Sequence, residues 1–168
     1  MYTIISGTNR VGSNTLKVAK EYQRLLKEKG IEAKLLSLEG LNLLKRDKDF
    51  EQMENEVITP TDKFLFIVPE YNGSYPGALK LLFDTGKSHA LWWHKKALLT
   101  GVSTGRAGNV RGMEHLAGVL NYLKVTVYPN MQPLSVVDKL MDASGRFTDA
   151  GTIAAINQQL DQFIKWYN

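Results

Sequence analysis

Lys63-Phe64-Leu65-Phe66-Ile67-Val68, closed by Pro69, is the stretch on which the fold turns. A strand with one face in water alternates apolar and polar residues. This run does not alternate, which is the pattern of a strand covered on both faces in a parallel sheet. Pro69 ends it, because proline has no N–H to give to a ladder. Upstream, residues 2–6 are apolar and β-branched and stop at Ser6-Gly7, a second buried strand followed by a breaker. From Asn14 to Lys29 the period becomes helical, with Leu16, Ala19, Tyr22, Leu25 and Leu26 on one face and Gly30 where a C-cap belongs. Residues 32–38 read as a strand, and the acidic segment 41–60 as a short helix ending before Pro60.

Downstream, a helix begins near Pro76, suited to a first helical turn, and runs towards Lys87. Residues 96–102 form a fourth strand, broken by the glycines between Gly101 and Gly108. Residues 112–123 are helical, with Met113, Leu116, Ala117 and Leu120 on one side, and Val125 to Tyr128 form a short fifth strand. The last helix carries Ile153, Ile156, Leu160, Phe163, Ile164 and Tyr167 at helical spacing, a core stripe. Strand and helix alternate along the chain, so the expected fold is α/β, a three-layer α/β/α sandwich on a five-stranded parallel sheet. At 168 residues it reads as a single domain, 1–168.

Composition narrows the function. The chain is 43% hydrophobic and 23% charged, ordinary for a globular protein, and no apolar run approaches the roughly 20 residues of a membrane helix. The N-terminal residues do not read as a secretory signal. There is no cysteine, which removes disulfides, thiolate metal sites and a cysteine nucleophile, and a cytoplasmic location is expected. The net charge of +4 favours anionic ligands, but acids and bases are interspersed rather than gathered on one face, so a nucleic-acid partner is not expected.

In a parallel α/β sheet, ligands bind beyond the carboxyl ends of the strands. Three loops lie there. The first, Ser6-Gly7-Thr8-Asn9-Arg10-Val11-Gly12-Ser13-Asn14-Thr15, joins hydroxyls and an arginine to a helix N-terminus, an arrangement suited to a phosphate monoester. It lacks both G-x-x-x-x-G-K-[ST] and G-x-G-x-x-G. The plainer reading is a helix capped by Ser13 or Asn14, with no ligand. The second, Pro69-Glu70-Tyr71-Asn72-Gly73-Ser74-Tyr75-Pro76-Gly77, sets tyrosines, an amide and a carboxylate in a tight turn, suited to a flat ring rich in heteroatoms. The third, Ser103-Thr104-Gly105-Arg106-Ala107-Gly108-Asn109, adds backbone donors and another arginine.

These three strings resemble the NAD(P)H-dependent FMN reductases, which include flavodoxin-fold azoreductases and chromate and quinone reductases. The resemblance runs from residue 2 to about residue 125 and is most specific in the second loop. It implies a flavodoxin-like fold and FMN as cofactor, with NADPH or NADH as co-substrate. By it, Thr8, Arg10, Ser13, Asn14 and Thr15 hold the phosphate. Pro69, Glu70, Tyr71, Asn72 and Gly73 border the isoalloxazine ring, and Ser103, Gly105 and Arg106 close its other side. The chemistry it implies is hydride transfer from NAD(P)H through FMN to a small-molecule acceptor: a quinone, an azo compound, a metal oxyanion or free flavin. No protein side chain is then required as acid or base. The alternative is a flavodoxin-like carrier that holds FMN without oxidising NAD(P)H itself, although such carriers are generally acidic. A homodimer or homotetramer is also implied. Two departures stand out: Thr8 replaces the common serine, and after Lys80 only Asp84 keeps the family's Asn-Ala-hydrophobic-Asp pattern.

Other candidates fall away. His89, His94 and His115 lack the spacing and the acidic partners of a metal site. No serine stands in G-x-S-x-G. Ala90-Leu91-Trp92-Trp93-His94-Lys95-Lys96 mixes aromatic and basic residues, and a site rim or subunit contact is expected of it.

Overall fold

All seven residues of the strand Lys63–Pro69 are buried in the computed structural model, which describes residues 1–166. Tyr167, expected on the last helix's core stripe, lies outside the described residues. The elements are β1 (Tyr2–Ser6), α1 (Asn14–Glu28), β2 (Ala33–Ser37), α2 (Lys48–Met53, continuing as a wider π-helical turn over Glu54–Ile58) and β3 (Lys63–Pro69). They continue with α3 (Gly77–Thr85), β4 (Lys96–Val102), α4 (Val110–Tyr122), β5 (Thr126–Val127), β6 (Gln132–Leu134) and α5 (Ala150–Lys165).

The sheet is parallel, in the order β2-β1-β3-β4-β5, with β6 also on β4. Ile5 of β1 pairs with Leu36 of β2 on one side and Phe66 of β3 on the other. Burial on both faces explains the unbroken apolar run of β3. Phe64, Phe66 and Val68 pack with residues of α2, α3 and α4, while Leu65 and Ile67 pack with α1 and α5. A buried side chain of this kind contributes about 1.5–3 kcal/mol, so the central strands anchor the loops at their ends.

The expected fold is present, with two differences. The fifth strand position is filled by two short pieces: β5 lies against Lys96 and Ala97, and β6 against Thr100, Gly101 and Val102. Pro129 interrupts them, and Pro133 is tolerated within β6 because that strand lies on the sheet edge. Trp92, expected at a rim or subunit contact, is instead core. It is 2% exposed and packs on Phe64, Phe66 and Phe83 with ring centroids 4.8–6.4 Å apart. It precedes β4 and so lies at the amino end of the sheet, opposite the loops of interest.

Candidate functional site

The strand order reverses between β1 and β3, since β2 lies outside β1 on one side and β3 on the other. That crevice is where open α/β sheets take ligands. On leaving β1, the chain is pinned to β3: the Gly7 N–H donates to the Ile67 carbonyl at 2.8 Å. A side chain at Gly7 would begin 3.0 Å from that same oxygen, so this close approach needs glycine. The loop then rises and re-enters α1 at Ser13, whose hydroxyl accepts from the Leu16 N–H at 3.1 Å. Ser13 is therefore the N-cap. Its own O–H proton is not used by this bond and remains available to an anion at the helix N-terminus.

Beyond β3, the Glu70 N–H donates to the Val102 carbonyl of β4, and residues 71–74 fold back on themselves. Tyr71 and Ser74 exchange backbone hydrogen bonds of 2.9 and 3.0 Å around Asn72 (φ 52°) and Gly73 (φ 74°). Positive φ at both central residues is the geometry that Asn-Gly supports best. The turn projects Tyr71 back onto the first loop. Its hydroxyl lies 2.8 Å from the Thr8 hydroxyl, and the Arg10 guanidinium sits 4.9 Å above its ring. Thr8, only 1% exposed, thus lies behind Tyr71 and holds the two loops together.

The third loop is braced internally. The Ser103 hydroxyl donates to the Gly105 carbonyl at 2.8 Å and accepts from the Gly108 N–H at 2.9 Å. Asn109, 1% exposed and left-handed at φ 59°, donates from Nδ2 to the carbonyls of Val68 and Pro69, both at 3.0 Å. It therefore clamps the carboxyl end of β3, from which the second loop springs.

Two adjoining clefts result. One, about 120 Å³, is lined by Arg10, Ser13, Asn14, Thr15, Pro69, Glu70, Tyr71 and Ser103 together with Val102, Thr104 and Val137. The other, about 280 Å³, is lined by Glu70, Asn72, Gly73, Ser103, Gly105 and Arg106 with Thr104 and Ala107. They share Glu70, Ser103 and Thr104, and together they have the scale of a small-molecule site. Every residue singled out from the sequence lines one of them except Thr8.

Sequence reasoning missed two contributors. Val137 opens a short 3-10 turn after β6, Val137–Lys139, held when the Val137 N–H donates to the Ser103 carbonyl at 3.0 Å. Asn109 was visible only as a loop residue; a lone asparagine after glycine hints at a left-handed position but not at its partners.

The chemistry of the lining fits a flavin phosphate. Among the described residues lining the first cleft, Glu70 is the sole acid, against Arg10, the hydroxyls of Ser13, Thr15, Tyr71, Ser103 and Thr104, the Asn14 amide and the positive end of α1. At the carboxyl end of β1, the buried Ser6 hydroxyl has no partner within the described residues.

Comparison with known proteins shows the family. The model of the NADPH-dependent FMN reductase family matches residues 2–137. An NAD(P)H-dependent FMN reductase of Pseudomonas aeruginosa is 31% identical over 96% of this chain and 92% of its own. A 2-hydroxy-1,4-benzoquinone reductase of a Burkholderia species is 28% identical over 76% of this chain and 74% of its own. Among solved structures, an NAD(P)H:acceptor flavoenzyme of Paracoccus denitrificans superposes with a TM-score of 0.82 at 24% identity, covering 98% of this chain and 95% of that one. A flavodoxin from Pseudomonas aeruginosa superposes at 0.63 with 20% identity, covering 96% and 95%, a likeness of fold. The chain therefore belongs to the NADPH-dependent FMN reductase family, flavin-dependent oxidoreductases that use FMN and NAD(P)H.

Proposed function

We propose that the first cleft receives the FMN phosphate, that the walls from Pro69 to Gly73 and from Ser103 to Arg106 receive the ring, and that the acceptor is a small molecule of the quinone type. Azo compounds, metal oxyanions and free flavin are further candidates. The observation that carries this reading is the convergence at one sheet edge of an acid-poor, donor-rich loop and the rigid Tyr71–Ser74 turn. When bound, FMN supplies hydride acceptance from the nicotinamide and electron delivery to the acceptor. In this reading Arg10, the Ser13 hydroxyl and the α1 N-terminus neutralise and orient the phosphate. Asn109 fixes the end of β3, so the turn meets the ring in one position. The similarity to a 2-hydroxy-1,4-benzoquinone reductase supports the quinone class.

The same reading includes a cytoplasmic setting, where NAD(P)H is regenerated, and a homodimer or homotetramer. Among the described residues no helix is long and apolar enough to cross a membrane. A groove of about 470 Å³ between α3 and α4, lined by Phe83, Val119, Leu123 and the exposed Tyr122, is the proposed subunit contact.

Initial-rate kinetics with NADPH and a benzoquinone test the reading. One site serving both substrates in turn gives parallel double-reciprocal lines. Intersecting lines, which signal a ternary complex, overturn it, and so does a holoprotein that NADPH fails to bleach anaerobically.

A further inference from the structure

One arginine of the second cleft borders the proposed flavin ring, and another, which the flavin does not account for, lies at its rim. Arg106 stands in the cleft wall. Arg111, on the first turn of α4, lays its guanidinium over the facing turn at Gly73, with Nη1 3.0 Å from the point where a side chain on that residue would begin. Glycine at position 73 is what leaves room for the fork. Both arginines are exposed, and among the described residues neither pairs with a carboxylate. Of the residues lining this cleft, Glu70 is the one acid, and it lies on the border shared with the first cleft. An arginine fork without an acid partner suits a phosphate group, which it can hold bidentately.

The geometry points to a co-substrate preference: we infer that Arg111, assisted by Arg106, receives the 2′-phosphate of NADPH and makes this chain select NADPH over NADH. The inference rests on the flavin reading above, because it requires the nicotinamide to stand at the ring bordered by Pro69 to Gly73. From there the rest of the dinucleotide leaves along the second cleft, which begins at Glu70, Ser103 and Thr104, the residues it shares with the first. The pyrophosphate lies mid-way along the dinucleotide and is common to NADH and NADPH. The 2′-phosphate lies on the adenosine half and is the more distant anion. Arg106 already borders the proposed ring, so Arg111, which reaches the cleft at Gly73 and has no flavin role, is the residue left to discriminate.

The test measures binding of 2′,5′-ADP and of 5′-AMP by titration calorimetry on the FMN-loaded protein, for the wild type, Arg111→Ala and Arg111→Lys. The wild type is expected to prefer 2′,5′-ADP. Arg111→Ala should lower that preference about tenfold or more, the loss of one charge-assisted pair, and Arg111→Lys should restore part of it. The ratio of kcat/KM for NADPH to that for NADH should fall in parallel. An Arg111→Ala protein with unchanged preference overturns the inference. Equal weakening of both nucleotides also overturns it, since that is the signature of a pyrophosphate contact. Flavin absorbance is recorded on each protein. Failure of the wild type to take up FMN defeats the underlying flavin reading and is told apart from a loss of nucleotide discrimination.

Discussion

Replacing Asn109 with alanine should loosen the carboxyl end of β3 and, with it, the turn that borders the proposed flavin. Two hydrogen bonds of 3.0 Å, to the carbonyls of Val68 and Pro69, disappear together, and both carbonyls lie in a buried setting. At a net value near 1 kcal/mol each, these account for about 2 kcal/mol. Asn109 also sits at φ 59°, a region asparagine tolerates and alanine does not, which adds about 1 kcal/mol. The expected loss is therefore about 3 kcal/mol, or roughly 6–12 °C in Tm for a chain of this length. Asn109→Gly separates the contributions: it keeps the left-handed backbone at little strain and loses only the donors, so it should be the milder variant by about 1 kcal/mol. Urea unfolding followed by circular dichroism reads both, with the m-value checked for constancy. If Asn109→Ala unfolds within about 0.5 kcal/mol of the wild type, the clamp has no such role, and if Asn109→Gly is the more damaging, the left-handed strain assigned to alanine is refuted.

Three further outcomes follow from particular residues. Ser13→Ala removes the α1 cap and should cost about 1 kcal/mol by urea unfolding, and on the proposed function it should also weaken FMN in a fluorescence titration; a stability loss with unchanged FMN affinity makes Ser13 a cap alone. Val136, β-branched yet held at φ 46°, is strained where its N–H donates to the Gly105 carbonyl at 2.9 Å, so Val136→Asn should gain about 1 kcal/mol; a loss in the same urea assay refutes the strain. The Ser144 hydroxyl bonded to Asp142, and the Thr152 contact to Asp149, hold both carboxyls below their usual value of 3.8. Their stabilisation is thus present above that pH and lost as pH falls below it through the lowered folded-state values, so the Tm of an Asp142→Asn/Asp149→Asn double variant should decline less steeply below pH 4, and curves that run parallel to the wild type contradict this.

The central strands could be read from sequence because two-sided burial writes itself as unbroken apolar runs. The expected span 96–102 for β4 is the observed one, and the structure extends β3 by one residue to Pro69. The fifth strand position was only partly readable. Its second half, Gln132–Leu134, is three residues long and contains Pro133, so no period of two can develop. Trp92 misled because an aromatic and basic string looks like surface, whereas its environment is set by Phe64, Phe66 and Phe83 from other elements. The loops of the site were visible through their glycines, hydroxyls and arginines. The partnerships across them, Thr8 with Tyr71 and Asn109 with the β3 carbonyls, depend on strand order and are not written locally.

The most direct test of the account compares FMN with riboflavin, which lacks only the phosphate, in fluorescence titrations of flavin-free protein. The wild type should bind one FMN per chain far more tightly than riboflavin. In Arg10→Ala, FMN should weaken by about 1.5–3 kcal/mol, the value of a charge-assisted hydrogen bond, while riboflavin affinity stays where it was. An FMN affinity unmoved by that substitution, or a protein that takes up neither flavin, would contradict the placement of the phosphate at the N-terminus of α1.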